Sequence, residues 1–218
     1  MVTGQRRRYR LVARLHDLVS LEWPVYRAGR AAGVAAAGLR PGSRVLDVAC
    51  GTGMTLPLAR AAVGSGGVVV GVDASPQMLA RAQRRIDRRG WRNVSLVLAD
   101  AAHLPSELRS GTPFDAVLFM YALSVIDDWR RAWQEALGLL RPGGRMTVVD
   151  LSLPAGRWRP LSPAARLACL AGGSNPHRHP WRLLDSGFTD VTHEVLRGGH
   201  VHVVSGIRSA RLPEPAGG

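Results

Sequence analysis

Four acidic residues stand in or directly after apolar stretches of the kind that form buried strands: Asp47, Asp73, Asp100 and Asp150. In an open parallel sheet, ligands bind at the carboxyl ends of the strands, near the point where the strand order reverses. An acid that ends the second strand is placed to accept hydrogen bonds from both hydroxyl groups of a ribose. The spacing therefore predicts a polar binding site in which Asp73 holds a sugar.

The turn after the first of these strands, in RVLDVACGTGMT (44–55), places small residues beside a buried acid. Small residues allow a sharp turn between strand and helix and a close approach of a ligand to the backbone. A dinucleotide fingerprint needs a third glycine where this chain has Leu56, and a phosphate-binding loop needs a lysine, which this sequence lacks. We therefore expect a nucleoside without a pyrophosphate, with a cationic centre and an amino-acid tail near Asp47.

Strands and helices alternate from residue 44 to residue 152, and this alternation predicts the scaffold of the site. The predicted strands are 44–49, 66–73, 93–100, 114–123, 145–152, 188–196 and 200–208. The predicted helices between them are 55–63, 75–90 and 127–140. Continuous runs of Val and Leu that alternate with helices indicate a parallel sheet covered on both faces. The last two strands have no helix between them, which predicts an antiparallel hairpin at the sheet edge.

The predicted fold class is α/β, with a Rossmann-like, doubly wound, mostly parallel seven-stranded sheet whose last strand is antiparallel. Residues 1–40 are expected to form a small N-terminal helical lid, broken at Pro24. Residues 41–210 are expected to form the binding domain, within a single domain overall, and residues 211–218 a disordered tail.

The composition narrows the classes of protein. Apolar residues make up 46% of the 218 residues, so the chain is globular, and two cysteines are too few for a disulfide framework. The N-terminus is basic but lacks the apolar core of a signal peptide, and no apolar run is long enough to span a bilayer, so we expect a cytoplasmic protein. The formal charge is +13, yet the arginines are scattered, which favours a solvated basic face over a nucleic-acid groove. Attraction to anionic lipid headgroups stays open.

Five motifs resemble, in order and spacing, those of the class I S-adenosylmethionine-dependent methyltransferases. They are VLDVACGTG, GVDASPQML, LADAAHLP, FDAVLFMYALSVIDD and LRPGGRMTVVD. The resemblance covers residues 40–152 and continues more weakly into the final two strands. It implies S-adenosylmethionine as the cofactor and transfer of its methyl group as the activity. The first glycine of the family's motif is Ala49 here, which narrows the turn slightly.

The resemblance implies a role for each matching residue in cofactor binding. Asp47 resembles the acid that orients the turn and, often through water, the methionine ammonium group, and Asp73 resembles the acid that binds the ribose. The residues that cradle the methionine part are Ala49, Gly51 and Gly53. Those that contact the adenine are Ala74, Met78, Asp100 and Ala101. Taken alone, Asp47 also fits a satisfied turn acid, and Asp100 also fits the N-cap of a following turn.

Two residues are candidates for catalysis. Met120 and Tyr121 end the fourth strand, where the family places the donor methyl group and the substrate, so Met120 is assigned to the cofactor and Tyr121 to catalysis. The segment YRLVARLHDLVS resembles the lid of quinone-biosynthesis and small-molecule methyltransferases, which makes His16 the second candidate, beside Tyr9 and Tyr26. A surface histidine on an amphipathic helix is an equal alternative for His16.

The acceptor is predicted only by class. The sequence resembles bacterial methyltransferases that act on amino headgroups of phospholipids and betaine lipids, and smaller relatives that act on metabolites. We expect transfer to an amine nitrogen or a hydroxyl oxygen of a small molecule or lipid headgroup, by a monomer or homodimer. No metal is expected, because His177 and His179 lack further ligands nearby. A DNA substrate is disfavoured, because MYALS replaces the Asn/Asp-Pro-Pro-aromatic motif after the fourth strand.

Two other functions fit the same motifs. A regulatory or partner protein would bind the cofactor without turnover, and an aminocarboxypropyl transferase would present a different carbon of the same cofactor to its acceptor. The residues of the cofactor site do not distinguish these from methyl transfer.

Overall fold

A computed structural model describes residues 26–210, and of Ala171 it describes the backbone alone. The helices are α1 (Arg27–Ala36), α2 (Leu56–Val63), α3 (Pro76–Arg89), α4 (Glu107–Ser110), α5 (Trp129–Leu139) and α6 (Ser162–Ala171). The strands are β1 (Arg44–Val48), β2 (Val68–Asp73), β3 (Val94–Leu98), β4 (Phe114–Met120), β5 (Leu140–Leu151), β6 (Phe188–Leu196) and β7 (Val201–Arg208). Within the described residues, three short 3-10 helices cover Gly156–Leu161, Pro180–Asp185 and Arg197–Gly199.

The seven strands form one sheet in the order β3-β2-β1-β4-β5-β7-β6. Neighbouring strands from β3 to β5 are parallel, and β7 is antiparallel to both β5 and β6. The strand order reverses between β1 and β4, so the crevice beyond their carboxyl ends is the expected ligand site. The predicted fold class is therefore confirmed, including the antiparallel last strand.

Helices and apolar side chains cover both faces of the sheet, as the continuous apolar strands predict. Consecutive residues of a strand point to opposite faces, so Leu46 belongs to one core cluster and Val45 to the other. The first cluster includes Phe119, whose ring stacks on Trp133 of α5 at 6.2 Å between centroids. Because both faces are buried, the polar groups of the site are confined to the strand ends.

Helix α3 begins and ends where the sequence predicts. The Ser75 hydroxyl accepts a hydrogen bond from the backbone N–H of Met78 at 3.3 Å, and Pro76 occupies the first helical turn. Gly90 follows the helix in the left-handed conformation. These caps fix the start of α3 directly after β2, so that Asp73 lies between a strand end and a helix N-terminus.

Two strands end two or more residues earlier than predicted. Strand β3 stops at Leu98, because the Asp100 side chain accepts a hydrogen bond from the N–H of Ala102 at 2.9 Å and starts a turn. Strand β4 stops at Met120, because Tyr121 takes a positive φ of 60° that a strand does not accommodate.

Helix α1 belongs to the stretch predicted as a lid, and it packs against the sheet. Its Gly33 lies against Val149 and Met120, and the carbonyl of Ala36 accepts a hydrogen bond from the Ser205 hydroxyl at 3.0 Å. The rest of the predicted lid, residues 1–25, and the predicted tail, residues 211–218, lie outside the described residues, so the proposed boundaries stay predictions. Among the helices described for residues 26–210, none has the length and hydrophobicity to cross a membrane.

Candidate active site

The turn between β1 and α2 folds through alternate residues with positive φ: Ala49 at 54°, Gly51 at 57° and Gly53 at 75°. This conformation is unstrained for glycine, whereas an alanine in it costs about 1–2 kcal/mol. The family's motif has a glycine at this position, and Ala49 keeps the backbone conformation that favours a glycine. Ala49 stores strain at the candidate site.

The two glycines of the turn have different surroundings. A Cβ atom added to Gly53 would lie 2.7 Å from Leu56 Cδ1 and 3.0 Å from Ala82 Cβ, so this glycine allows close packing of the turn on α2 and α3. A Cβ atom added to Gly51 would meet no atom within 4 Å. Gly51 therefore borders open space, as expected of a backbone position that a ligand approaches.

Asp73 joins this turn to the start of α3. Its Oδ2 accepts a hydrogen bond from the Gly51 N–H at 2.8 Å, and its Oδ1 accepts one from the Ser75 N–H at 2.9 Å. Burial raises the pKa of Asp73 above its ordinary value, and these two hydrogen bonds act in the opposite direction. A carboxylate has about four acceptor positions, so each oxygen retains one for a ribose hydroxyl.

Asp47 is a buried carboxyl group whose charge is not matched by hydrogen bonds. It is fully buried, and neither of its oxygens has a hydrogen-bond partner among the described residues. Burial raises its pKa to about 7; the nearby charge of Arg30 lowers the pKa, and that of Asp73 raises it. Because a buried acceptor without a donor is costly, the environment of Asp47 suits a cationic donor such as an ammonium group.

The residues predicted to contact an adenine lie on the loops after β2 and β3. Met78 and Ala101 are buried, whereas Ala74 and Asp100 are exposed. Asp100 caps its own turn through the bond to Ala102, and its second oxygen lies 3.9 Å from His103 Nδ1. The capping role that the sequence left open is thus present. The cap uses Oδ1, so Asp100 Oδ2 stays accessible. Recognition of the adenine by Asp100 stays a prediction.

Tyr121 connects the end of β4 to helix α1. Its hydroxyl donates a hydrogen bond to the carbonyl of Tyr26 at 3.1 Å, and the two rings meet edge to face at 4.7 Å between centroids. The guanidinium carbon of Arg30 lies 5.3 Å from the centre of the Tyr121 ring. A Cβ atom at position 29 would lie 2.0 Å from the Tyr121 hydroxyl oxygen, so only glycine fits there. Tyr121 is therefore held in one orientation by α1.

The sequence analysis missed Gly29 and Arg30. The signal for them was the spacing of small residues in RAGRAAG (27–33), which places Gly29 and Gly33 four residues apart on one face of a helix. That spacing permits close contact with the sheet. Arg30 then lies near both Asp47 and Tyr121.

Asp150 organises the loop that follows Tyr121. Its two oxygens accept hydrogen bonds from the Ser124 N–H at 2.8 Å, the Ser124 hydroxyl at 2.5 Å and the Leu151 N–H at 2.9 Å. Burial raises the pKa of Asp150 to about 6, and the Ser124 hydroxyl is the largest opposing influence. The fourth strand-end acid therefore shapes the loop, whereas Asp47 and Asp73 border the turn.

The remaining predictions concern His16, as a catalytic residue, and the absence of a metal site. His16 lies outside the described residues, and its role stays a prediction. Within residues 26–210 there is no cluster of three or more His, Cys, Asp or Glu side chains suited to hold a metal ion. Two further histidines, His193 and His202, contact each other. The His193 Nε2 atom lies 2.8 Å from His202 Nδ1, and the His202 ring stacks on Trp181 at 4.2 Å between centroids.

Comparisons with known proteins identify the family of this chain. A family model described as a methyltransferase domain matches residues 45–144. The chain is 36% identical to the demethylmenaquinone methyltransferase of Symbiobacterium thermophilum, over 75% of this chain and 70% of that protein. The chain belongs to the class I S-adenosylmethionine-dependent methyltransferases.

Two further comparisons concern a second curated relative of this methyltransferase and its fold. It is 30% identical to the arsenite methyltransferase of Halobacterium salinarum, over 71% of this chain but only 39% of that protein. Its fold matches the crystal structure of a SAM-dependent methyltransferase from Aquifex aeolicus with a TM-score of 0.62 and 18% identity, over 90% of this chain and 97% of that one. The chain thus spans between 39% and 70% of these two curated relatives.

S-adenosylmethionine, the cofactor of this family, fits the residues present in the methyltransferase. Its ammonium group matches the buried carboxyl of Asp47, which has no donor among the described residues. Its ribose matches the free acceptor positions of Asp73, and the open side of Gly51 leaves room for the methionine part. A positive charge beside Asp47 would also lower the pKa of that carboxyl and favour its ionised form.

Proposed function

We propose that this methyltransferase transfers the methyl group of S-adenosylmethionine to an amine nitrogen or a hydroxyl oxygen of a small molecule or lipid headgroup. Two observations carry the cofactor part of the proposal: the buried carboxyl of Asp47 has no hydrogen-bond partner among the described residues, and the same turn has open space at Gly51. The names of the two relatives, a demethylmenaquinone and an arsenite methyltransferase, support an acceptor that is not a macromolecule.

In this proposal, the protein's residues bind the cofactor and orient it for the reaction. When bound, the cofactor supplies a methyl group on a positively charged sulfur, which a nucleophile displaces in line. Asp47 and Asp73 would hold the two polar ends of the cofactor, and the positive-φ turn would bring the Gly51 backbone against it. Such a displacement gains most of its rate from proximity and alignment, so no catalytic triad is required.

We place the acceptor beside Tyr121, at the carboxyl end of β4. The contacts that support this position are the hydrogen bond to the Tyr26 carbonyl and the glycine at position 29, which together fix the Tyr121 ring. A fixed aromatic ring next to the methyl donor offers a flat apolar wall against which an acceptor is aligned. A neutral amine needs no base, whereas a hydroxyl acceptor would gain from one, and His16 is our candidate.

The test uses the purified protein, a cell extract and S-adenosylmethionine labelled in the methyl carbon or, separately, in the aminocarboxypropyl carbons. Label in a product from the methyl-labelled donor alone supports the proposal. Label from the second donor alone identifies an aminocarboxypropyl transferase. Cofactor binding by calorimetry without labelled product identifies a binding protein without turnover.

Variants distinguish the roles of the two candidate catalytic residues. Tyr121→Phe removes the hydroxyl that reaches Tyr26 and keeps the ring, so we expect a loss in kcat larger than the loss in cofactor affinity. His16→Ala should behave in the same way if the imidazole faces the acceptor, and equal losses in both would make it a residue of the cofactor lid. Deletion of residues 1–20 should reduce turnover strongly while the sheet stays folded, because β1 begins at Arg44. Full turnover after that deletion would contradict the lid.

A further inference from the structure

The chain between β5 and β6 differs in charge from the rest of the molecule. This connection, residues 152–187, contains five arginines and one acidic residue, Asp185 near its end. This stretch includes the 3-10 helix Gly156–Leu161 and α6, and we call residues 153–170 the basic apolar segment. Within the part of the chain that the structure describes, Arg157, Arg159 and Arg166 form no ion pair. The positive charge of this segment is therefore available to a partner.

The segment also exposes its apolar side chains. Leu167 is 69% exposed, Leu170 61% and Leu161 53%, and Trp158 is exposed as well. Cys169 is the buried side chain of α6 among those described, so the helix contacts the body of the protein by a narrow stripe. An exposed leucine on its own is ordinary, but several neighbouring ones mark an interaction surface.

The exposed leucines and the arginines share one face. Pro163, Arg166, Leu167 and Leu170 recur at positions i, i+3, i+4 and i+7 of α6, which places them on the same side of the helix. Together with Leu153 they line an open groove, and an adjoining groove is lined by Arg159 and Pro154. These open grooves lie along the segment and not at the turn after β1. Their chemistry is apolar with a cationic rim.

We propose that the basic apolar segment docks on the surface of an anionic lipid bilayer. Leucines and a tryptophan beside arginines suit the boundary between acyl chains and acidic headgroups, because the apolar side chains insert while the guanidinium groups stay at the headgroup level. The charge argues against the two other occupants. A twofold-symmetric contact with a second copy would bring the arginines of both copies together. Residues 1–25 carry five arginines and two acids, so they too would be repelled.

The chain directly after the basic apolar segment is tied to the loop that follows Tyr121. The Ser174 hydroxyl donates a hydrogen bond to the Ser124 hydroxyl at 2.8 Å, and the Arg178 guanidinium donates to the carbonyls of Leu123 at 3.0 Å and Ile126 at 2.6 Å. Docking would therefore bring the carboxyl edge of the sheet towards the bilayer. The proposal that the segment binds a membrane does not depend on which acceptor is methylated. A failure of membrane binding would therefore leave the proposed function unaffected, and the reverse also holds.

The experiment is sedimentation of the full chain with vesicles of phosphatidylcholine alone, or with about one third phosphatidylglycerol, at roughly 0.1 M salt. We expect binding to the anionic vesicles and a partition coefficient at least tenfold lower with neutral ones. In the double variant Leu167→Gln, Leu170→Gln, the partition coefficient for the anionic vesicles should fall at least tenfold. The control Leu98→Gln, at a similarly exposed leucine on β3, should bind as the parent does.

A second pair of variants separates a specific surface from general attraction to a basic protein. Arg159→Gln with Arg166→Gln should weaken binding by about fivefold for each arginine removed, since each contributes about that factor near an anionic membrane. The control, Arg84→Gln with Arg88→Gln on α3, changes the net charge equally on another face and should retain binding.

Three outcomes would overturn the proposal. The first is absence of binding to the anionic vesicles, and the second is equal loss in the α3 control pair. The third is a dimer, detected by light scattering without vesicles, that dissociates in the double leucine variant, because a second copy would then cover the surface. Circular dichroism of each variant checks that the fold is kept.

Discussion

The carboxylate of Asp73 accepts a hydrogen bond from the backbone N–H of Gly51 at 2.8 Å, although 22 residues separate the two along the chain. The bond joins the end of β2 to the turn after β1, across the parallel pairing of these strands. One side chain therefore fixes the shape of the turn and also faces the expected position of the ribose. Changes at Asp73 should alter both.

Replacing Asp73 with Ala should weaken S-adenosylmethionine binding by about 1.5–3 kcal/mol, the loss expected for a charge-assisted hydrogen bond. Isothermal calorimetry measures the effect. Asp115→Ala is the matched control, because Asp115 also accepts a backbone N–H bond, from Arg44 at 2.8 Å, but at the opposite end of the sheet. Unchanged affinity in Asp73→Ala would refute the ribose assignment.

Gly51→Val should abolish cofactor binding, because a branched side chain would fill the open space that the methionine part needs. The substitution also strains a residue at φ 57°. Gly90→Val separates the two effects, since Gly90 has a φ of 62°, no neighbour within 4 Å of its Cβ position and no part in the site. We expect similar losses of stability in thermal unfolding and a loss of binding in Gly51→Val alone. Normal binding by that variant would mean that the ligand does not approach the turn.

Ala49→Gly should stabilise the protein by about 0.5–1 kcal/mol, because it removes the cost of a left-handed alanine and adds the smaller entropic cost of a glycine. Denaturant unfolding at equilibrium measures this difference. Ala31→Gly, at an exposed position in the middle of α1, is the opposing control and should destabilise by about 1 kcal/mol. A destabilised Ala49→Gly would show that the alanine methyl group contributes packing that outweighs the strain.

The burial of Asp47 should make both stability and cofactor binding depend on pH near neutrality. Its folded pKa of about 7 lies above the ordinary 3.8, so its contribution to stability is present below about pH 4 and is lost as pH rises through 7. Relative to Asp47→Asn, the free energy of unfolding should fall by about 1.4 kcal/mol per pH unit across that window. Cofactor affinity should rise over the same range in the parent and stay low and flat in the variant. Parallel pH profiles for the two proteins would argue against a buried Asp47.

His202 should give a pH dependence of the opposite sign. Burial, then the neighbouring His193, lowers its pKa from 6.5 to about 4. The stabilising contribution is therefore complete above about pH 6.5 and is lost as pH falls towards 4. His202→Phe keeps a ring against Trp181 without a titratable group, so its melting temperature should fall less than that of the parent between pH 7 and 4.5, both approximate limits. Equal shifts would place the titration elsewhere.

The sequence alone determined the fold class and the pairing of Asp73 with the turn after β1, and the reasons are local. Apolar strands of continuous Val and Leu need burial on both faces, which is a parallel sheet with helices on each side. Ser75, Pro76 and Gly90 fix the ends of α3 through the chain's own capping chemistry. Once the sheet is parallel, an acid at the end of β2 has to lie beside the turn after β1, so the pairing of Asp73 with Gly51 follows from the order of the strands.

Only the tertiary structure decided which buried carboxyl groups have hydrogen-bond partners and which glycines border open space. Asp47 and Asp150 both come from strand ends, yet Asp150 is bonded to Ser124, whereas Asp47 has no hydrogen-bond partner among residues 26–210. Gly51 borders open space and Gly53 is packed, although the motif treats them alike. The contact of Gly29 with Tyr121 joins residues 92 positions apart, and the spacing of small residues around Gly29 does not identify Tyr121 as its partner. Hydrogen-bond partners and open volume depend on distant segments meeting in space, and residue spacing along one chain does not encode that meeting.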